Sequence, residues 1–232
     1  MGIIANALTL MVGGLLGSLL KSKITLQYGG VFGITVMLIS AVGIIENMFN
    51  INAGALESSE LFVVVFALII GWSFGEWLRI DDRLSGLAKA KTVQLNAFID
   101  ATVFFGIGGL QICGPILLAI TGDSSQLYLK SVIDFPFALM FGAIYGRCVM
   151  LSAIPVAAVQ LAIAGIARAA GDFIGGAMLG QLCSVGYLIL FFGGFNLVCD
   201  TKHKIKNINM IPAILVIILI EIVSVLLSKL AM

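Results

Sequence analysis

Two acidic residues lie inside apolar stretches of the sequence, where an ionisable side chain is costly. Glu221 is flanked by isoleucine on both sides, and Asp134 stands two residues before Pro136. An ionisable group in hydrocarbon costs about 2.5–3.5 kcal/mol on insertion scales, so each acid needs a partner or a function. Glu221 is interpreted either as an ion or proton site or as a hydrogen-bonded acid that joins helices. Asp134 is interpreted either as a helix cap, because an acid satisfies free backbone donors at a helix start, or as part of a polar pocket.

Amide side chains in apolar runs form a second set of candidates: Asn6, Gln111, Gln160 and Asn196. Each can hydrogen-bond across helices or contact a solute. Gln111 lies one helical turn before Gly114-Pro115, and that pair is expected to break its helix because proline removes a backbone donor. Irregular backbone at membrane depth is tolerated where it lines a cavity. We therefore expect Gly114, Pro115, Gln111 and Asp134 to line one polar cavity that is entered from outside, with Asp134 as a cation or amine contact.

Other chemistries find little support in the sequence. His203 is the only histidine and lies in a basic loop, and no Cys-x-x-Cys pair occurs among the four cysteines. The run Gly106-Ile107-Gly108-Gly109 lies in an apolar helix and does not follow a strand, so it is not a phosphate loop. No Ser-His-Asp set is visible. The sequence therefore predicts no enzyme, no metal site and no cofactor, and its net charge of +1 implies no nucleic-acid partner.

The composition is that of an integral membrane protein. Of the 232 residues 60% are hydrophobic and 11% are charged, and the mean hydropathy is +1.14. A soluble domain has about a quarter of its residues charged. A soluble fold of this length could not bury so much apolar surface, so the lipid bilayer must cover much of it. Residues 1–232 are predicted to form a single integral membrane domain.

The fold class predicted is all-α, a polytopic transmembrane helical bundle of about eight spanning segments, some of them broken or re-entrant. A spanning helix needs about 20 apolar residues. The predicted segments are 2–20, 28–48, 61–79, 97–121, 131–149, 151–168, 180–199 and 210–230. The fifth and sixth segments are nearly fused, and they form either a tight hairpin or a pair of re-entrant half-helices.

The basic residues predict the orientation of these segments. They cluster after segments one and three, near the junction of segments five and six, and before segment eight. Eight alternating spans put all four clusters on one side, which the positive-inside rule makes cytoplasmic, so both termini are expected outside. Arg168 is the exception near the outer face, where Asp172 could pair with it. Residues 80–95 mix charged and apolar side chains and predict a short amphipathic helix on the cytoplasmic surface.

Glycines four residues apart recur in the apolar segments: Gly13 and Gly17, Gly29 and Gly33, Gly71 and Gly75, and Gly142 and Gly146. Each pair opens a flat strip for another helix. Packing within the chain is the first interpretation, and a homo-oligomer through these Gly-xxx-Gly faces is the second. Segments two and seven share a glycine-punctuated pattern and run in opposite directions in this topology, as in the inverted repeats of secondary transporters.

The ordered short motifs resemble those of the YdfK/YqgA family of bacterial inner-membrane proteins, a domain of unknown function. They include Asn6-Ala7, Gly75-Glu76-Trp77-Leu78, Gly114-Pro115, Lys130-Ser131 with Asp134, Ser152-Ala153-Ile154-Pro155, Gln160 and Asn196-Leu197. The resemblance covers nearly the whole chain. It implies a location in the bacterial cytoplasmic membrane and recurring polar positions at Asn6, Asp134, Gln160 and Asn196. Glu221 is not part of that pattern, and the resemblance implies no activity.

Three functions remain open from the sequence. A small secondary transporter of a small solute or ion agrees best with broken helices, convergent polar groups and a repeat of inverted topology. An oligomeric channel would need a continuous polar pore, and the sparse charge argues mildly against it. A non-transporting scaffold would use the 80–95 segment as its partner surface. A closed pocket, a through-pore or a solid interior would distinguish the three.

Overall fold

The protein is a bundle of helices with one small β-hairpin. The computed structural model describes residues 1–20, 29–52, 55–57, 60–87, 93–106, 109–171, 174–199 and 204–230. The α-helices are α1 Gly2–Leu20, α2 Gly29–Met48, α3 Leu61–Leu78, α4 Ile80–Leu87, α5 Val93–Gly106, α6 Gly109–Thr121, α7 Ser125–Tyr145, α8 Ala153–Ala169, α9 Gly176–Val198 and α10 Pro212–Leu230. Short 3-10 helices precede α8 (Arg147–Ser152) and α10 (Asn207–Met210). Strands β1 Asn50–Asn52 and β2 Ala55–Glu57 pair antiparallel between α2 and α3.

The predicted helical membrane bundle is confirmed. Within the described ranges, seven helical segments are long and apolar enough to cross a membrane, and an eighth is obtained if α5 and α6 count as one bent span. The two halves of that span are inclined by 56°. The fifth and sixth predicted segments correspond to α7 and to Arg147–Ala169, and each is long enough to cross completely. The tight hairpin is therefore the better of the two interpretations of that region.

Contacts between helices fix their relative directions. Gly2 packs against Leu127 near the start of α7, and Gly17 packs against Leu139 near its end, so α1 and α7 run parallel. Gly33 near the start of α2 meets Gly194 near the end of α9, and Asn47 near the end of α2 lies beside Gly180 near the start of α9, so the two helices run antiparallel, as predicted for segments two and seven. The inverted repeat itself stays a prediction.

Several basic residues of the described chain lie at one end of the bundle, which we call the basic end. Arg79 follows α3, Arg147 follows α7, and Lys204 and Lys206 precede α10. Lys206 links the segment before α10 to α4, because its Nζ donates to Asp82 Oδ2 of α4 at 3.0 Å. That hydrogen bond raises the pKa of Lys206 above its ordinary value. Exposed Arg168, at the end of α8, lies at the opposite end with the 121–124 loop.

Several sequence predictions fall outside the described residues. They concern the basic residues Lys21, Lys23, Lys89, Lys91 and Lys202, the loop position of His203, and the pairing of Asp172 with Arg168. The amphipathic helix predicted over 80–95 is present as α4, which ends at Leu87, while residues 93–95 belong to α5.

Most glycines of the predicted pairs pack within the chain, but Gly146 does not, because it follows the end of α7 and a Cβ there would have no neighbour within 4 Å. A Cβ atom on Gly17 would lie 2.0 Å from the carbonyl oxygen of Leu139, and one on Gly75 would lie 2.0 Å from that of Asn209. Gly142 of α7 likewise meets the backbone of Gly14. Helices in lipid associate through close van der Waals packing, which small residues allow. These faces therefore hold α1 on α7 and α3 on the start of α10.

The predicted break at Gly114-Pro115 is wrong. Helix α6 continues through Pro115, and the interruption lies earlier, where α5 ends at Gly106 and α6 begins at Gly109. Three glycines in four residues cost a helix about as much as one proline, so local helix propensity alone does not decide which of the two sites is interrupted. Gly114 and Pro115 are buried, and Gly114 packs against Leu127.

The predicted start of segment five is also wrong, because α7 begins at Ser125 and not at residue 131. Asp134 and Pro136 therefore lie inside the helix, and Asp134 is about 14 Å along it rather than near its start. The acid at the helix start is Asp123, whose Oδ1 accepts the backbone N–H of Ser125 at 2.9 Å. Hydrogen bonds from Ser125 lower the pKa of Asp123. Asp100 likewise lies inside its helix, α5.

The arrangement predicts that the 121–124 loop and α4 lie on opposite sides of the membrane. In a variant whose four native cysteines are alanine, Asp123→Cys should react with an impermeant maleimide on intact cells. Arg83→Cys should react only after permeabilisation, because it lies at the basic end. Both replaced side chains are exposed, so access does not depend on unfolding. Labelling of both positions from the same side would contradict the eight-span arrangement.

Candidate functional site

A buried ion pair lies at the centre of the bundle. Lys130 Nζ lies 2.6 Å from Asp134 Oδ2, and the two side chains are only 6% and 8% exposed. Their spacing of four residues places them on one face of α7. A buried charge left alone is costly, whereas a close pair with further hydrogen bonds offsets most of the desolvation. Asp134 is therefore neutralised by a neighbour on its own helix.

The break between α5 and α6 supplies another partner for this pair. Lys130 Nζ also donates to the backbone oxygen of Phe105 at 3.1 Å. Phe105 is in the last turn of α5, where the carbonyl groups have no partner within the helix and carry the negative end of its dipole. The interruption at Gly106 thus creates a site for an ammonium group.

Amide side chains extend the ion pair into a network across the bundle. Asn6 Nδ2 of α1 donates to Asp134 Oδ2 at 2.9 Å. Gln160 Nε2 of α8 donates to Asn6 Oδ1 at 3.1 Å and to Gln111 Oε1 of α6 at 2.9 Å. Gln111 Nε2 then donates to the backbone oxygen of Val156 at 3.0 Å. Asn6, Gln111 and Gln160 are fully buried, and Gln160 Oε1 has no partner within the described chain.

A cavity of about 470 Å³ adjoins this network. It is lined by residues of α2, α5, α6, α7 and α9 and by the segment before α10. Gln111, Lys130 and Asp134 line it at mid-bundle, and Asn196 and Lys204 line it towards the basic end. The predicted sharing of one cavity by Gln111 and Asp134 therefore holds. Gly114 and Pro115 are not among its lining residues, and the lining extends to the basic end rather than to the side expected for entry.

Asn196 has a structural role at that end of the cavity. Its Nδ2 donates to the backbone oxygen of Ile205 at 2.7 Å, and its Oδ1 accepts the N–H of Ile205 at 2.9 Å. Both polar atoms of the amide therefore hydrogen-bond the segment before α10 and hold it against α9.

Glu221 belongs to a separate cluster. Gln181 Nε2 of α9 donates to Glu221 Oε1 at 3.3 Å and also to Glu60 Oε2 before α3. None of these three residues lines the cavity. The two carboxylates lie close to one buried amide, and both interpretations made from the sequence, a proton or ion site and a hydrogen-bonded acid between helices, stay predictions.

Glu221→Gln separates these two interpretations. The variant should fold with an unchanged melting temperature, because its amide oxygen can still accept the hydrogen bond from Gln181. If Glu221 is a proton site, solute flux driven by a pH gradient should be lost, and exposed Glu46→Gln should keep it. A Glu221→Gln protein that folds and retains every activity of the parent would show that the acid is structural.

Sequence reasoning missed Lys130 as a site residue. A fifth segment that begins at residue 131, as the sequence predicts, leaves Lys130 in a loop. The Lys130–Asp134 spacing of four residues was the available signal, and it becomes visible only once α7 is known to begin at Ser125. Within the described residues, no group of three His, Cys, Asp or Glu side chains is arranged to hold a metal ion.

Comparison with known sequences identifies related proteins. A family model described as "Protein of unknown function (DUF554)" matches residues 1–222. The chain is 26% identical over 227 residues to the uncharacterized protein YqgA of Escherichia coli (strain K12), covering 90% of this chain and 91% of YqgA. It is 22% identical over 220 residues to the uncharacterized membrane protein YdfK of Bacillus subtilis (strain 168), covering 93% of each chain. No solved structure matches significantly.

Proposed function

This chain belongs to the DUF554 family of proteins of unknown function, and we propose that it is a small secondary transporter. It moves a small solute or ion across the bacterial cytoplasmic membrane. The supporting observation is the cavity that extends from the buried Lys130–Asp134 pair to the basic end. A solute site near mid-membrane beside an interrupted helix is the usual plan of such transporters.

The shape of the cavity favours a transporter over the alternatives. Its described lining includes no residue of the 121–124 loop at the opposite end, where the amide network and the packing of Gly114 on Leu127 separate it from that loop. A channel would need a continuous pore. A scaffold would not need a cavity of this size beside a buried ion pair. Access from one end at a time is what alternating access requires.

The positive-inside rule orients the proposed transporter. It places the basic end in the cytoplasm, so the structure corresponds to a conformation with its cavity extending inward. The opposite conformation would have to open between α6, α7 and α8 on the outer side. The network of Asn6, Gln111 and Gln160 would then rearrange, because it joins α1, α6, α7 and α8.

Measurement of solute flux across the membrane of proteoliposomes tests this proposal. A panel of small cations, anions, zwitterions and neutral solutes is offered to the parent protein and to two matched variants. Val103→Trp adds an indole to the cavity lining and should remove most of the flux of any transported solute. Val132→Trp makes the same change on α7 at a side chain that is 69% exposed and should leave the flux unchanged.

Two results would contradict the transporter. The first is flux no greater than in protein-free liposomes for every solute of the panel. The second is equal solute flux in both tryptophan variants, because a solute whose flux is unchanged when the cavity is filled does not pass through that cavity. Size-exclusion chromatography and thermal unfolding of each variant establish that the comparison is made between folded proteins.

A further inference from the structure

We propose that the cavity binds an organic cation, with the carboxylate of Asp100 and the aromatic side chains of α5 and α7 as its binding groups. The inference rests on the proposed transport function and names the class of solute. It begins from a difference between the acids that line the cavity, Asp100 and Asp134. One of them is already paired and the other is not.

The charge of Asp134 is already balanced by Lys130. Its Oδ2 accepts both Lys130 Nζ and Asn6 Nδ2, and Lys130 is also bonded to Phe105. A cation at Asp134 would have to displace an ammonium held within its own helix. The proposed contact for the cation is therefore Asp100 and not Asp134, which the sequence had suggested.

Asp100 is available to a ligand. It is half-buried on α5 and lines the cavity. Within the described chain its carboxylate has no hydrogen bond or ion pair with another residue. A carboxylate that keeps its charge in a largely apolar cavity is stabilised by a nearby positive charge. Lys204 also lines the cavity, but its side chain is exposed at the basic end, where water hydrates it.

Aromatic rings line the same cavity as Asp100. Phe104 lies one turn further along α5, and its ring centroid is 4.9 Å from that of Phe141 and 5.2 Å from that of Phe137. Phe141 also contacts Phe105 and Tyr145, with centroids 5.7 Å and 5.6 Å away. All five rings line the cavity.

Such a lining suits an alkylammonium group better than a metal ion. The negative faces of aromatic rings attract a cation that is weakly hydrated, and quaternary ammonium groups are recognised in this way. The cavity volume of about 470 Å³ is within the range of small-molecule sites, about 300–1,000 Å³. A small inorganic cation would lose more hydration free energy on entering the cavity than its interaction with phenylalanine rings could offset.

Equilibrium binding of choline to the full-length protein in nanodiscs tests the inference. The neutral isostere 3,3-dimethyl-1-butanol has the same shape without the charge, and sodium chloride is kept in excess. Choline should bind and the isostere should bind at least about tenfold more weakly, since the charge-dependent contacts contribute at least that factor. Asp100→Asn should weaken choline binding by about tenfold or more and leave the isostere unchanged.

Three further variants distinguish a loss of binding groups from a loss of folding. Phe141→Tyr should retain choline binding, whereas Phe141→Leu should weaken it, because leucine has no aromatic face. Asp123→Asn removes an exposed acid in the loop at the opposite end and should have no effect. Equal binding of choline and its isostere, absence of choline binding, or unchanged choline binding in folded Asp100→Asn would overturn the inference.

The outcomes separate this inference from the transport function. If choline does not bind, while another solute of the panel is transported and Val103→Trp blocks it, the transporter stands and the cation site is wrong. If choline binds through Asp100 but no solute is transported, the cation site stands and the transport function is wrong.

Discussion

Lys130→Met should lower the free energy of unfolding by about 3–5 kcal/mol, because it leaves the Asp134 carboxylate buried without its cation. The carboxylate would keep only the hydrogen bond from Asn6 among its present partners. Methionine preserves most of the length of the lysine side chain, so the loss reports charge rather than packing. The measurement is reversible unfolding in mixed micelles.

A second substitution shows that the loss comes from the unpaired acid. The double variant Lys130→Met/Asp134→Leu should regain most of the stability, since replacing both members of a buried pair by apolar side chains is often neutral or stabilising. Lys206→Met is the matched control, because Lys206 pairs with Asp82 while both side chains are substantially exposed. Exposed pairs contribute little. Equal effects of Lys130→Met and Lys206→Met would refute the buried pair.

Gly17→Ala should be the most damaging single-methyl substitution in α1. The added Cβ would lie 2.0 Å from the carbonyl oxygen of Leu139 and 2.9 Å from the backbone nitrogen of Ala143. Backbone atoms cannot move aside as a flexible side chain can, so α1 and α7 must separate. Overpacking typically costs about 1–3 kcal/mol, and a backbone clash at a helix pair belongs at the upper end or beyond it.

Gly165→Ala is the control for Gly17→Ala. Gly165 lies within α8, and a Cβ there would have no neighbour within 4 Å. Alanine favours a helix by up to about 1 kcal/mol over glycine, so this variant should be as stable as the parent or slightly more so. Thermal unfolding in one detergent compares the two. A Gly17→Ala protein as stable as Gly165→Ala would contradict the close packing of α1 on α7.

The sequence alone determined that this protein is a membrane bundle and roughly where its spans lie. Lipid requires about 20 apolar residues per helix, and this requirement is local, so it can be read from a run such as 2–20. The sequence also identified Asn6, Gln111, Asp134 and Gln160 as candidates, because polar groups in hydrocarbon need hydrogen-bonding partners. These four meet in one network, although they are scattered over α1, α6, α7 and α8.

Which of those polar side chains already have hydrogen-bond or ion-pair partners can be seen only in the tertiary structure. Whether Pro115 ends a helix depends on the competing glycines at 106–109 and on packing against Leu127, and no local rule weighs these against each other. The start of α7 at Ser125 turned Lys130 from a loop residue into the partner of Asp134. That pairing left Asp100 as the acid without a described partner in the cavity, because the charge of a site depends on neighbours that come from distant parts of the chain.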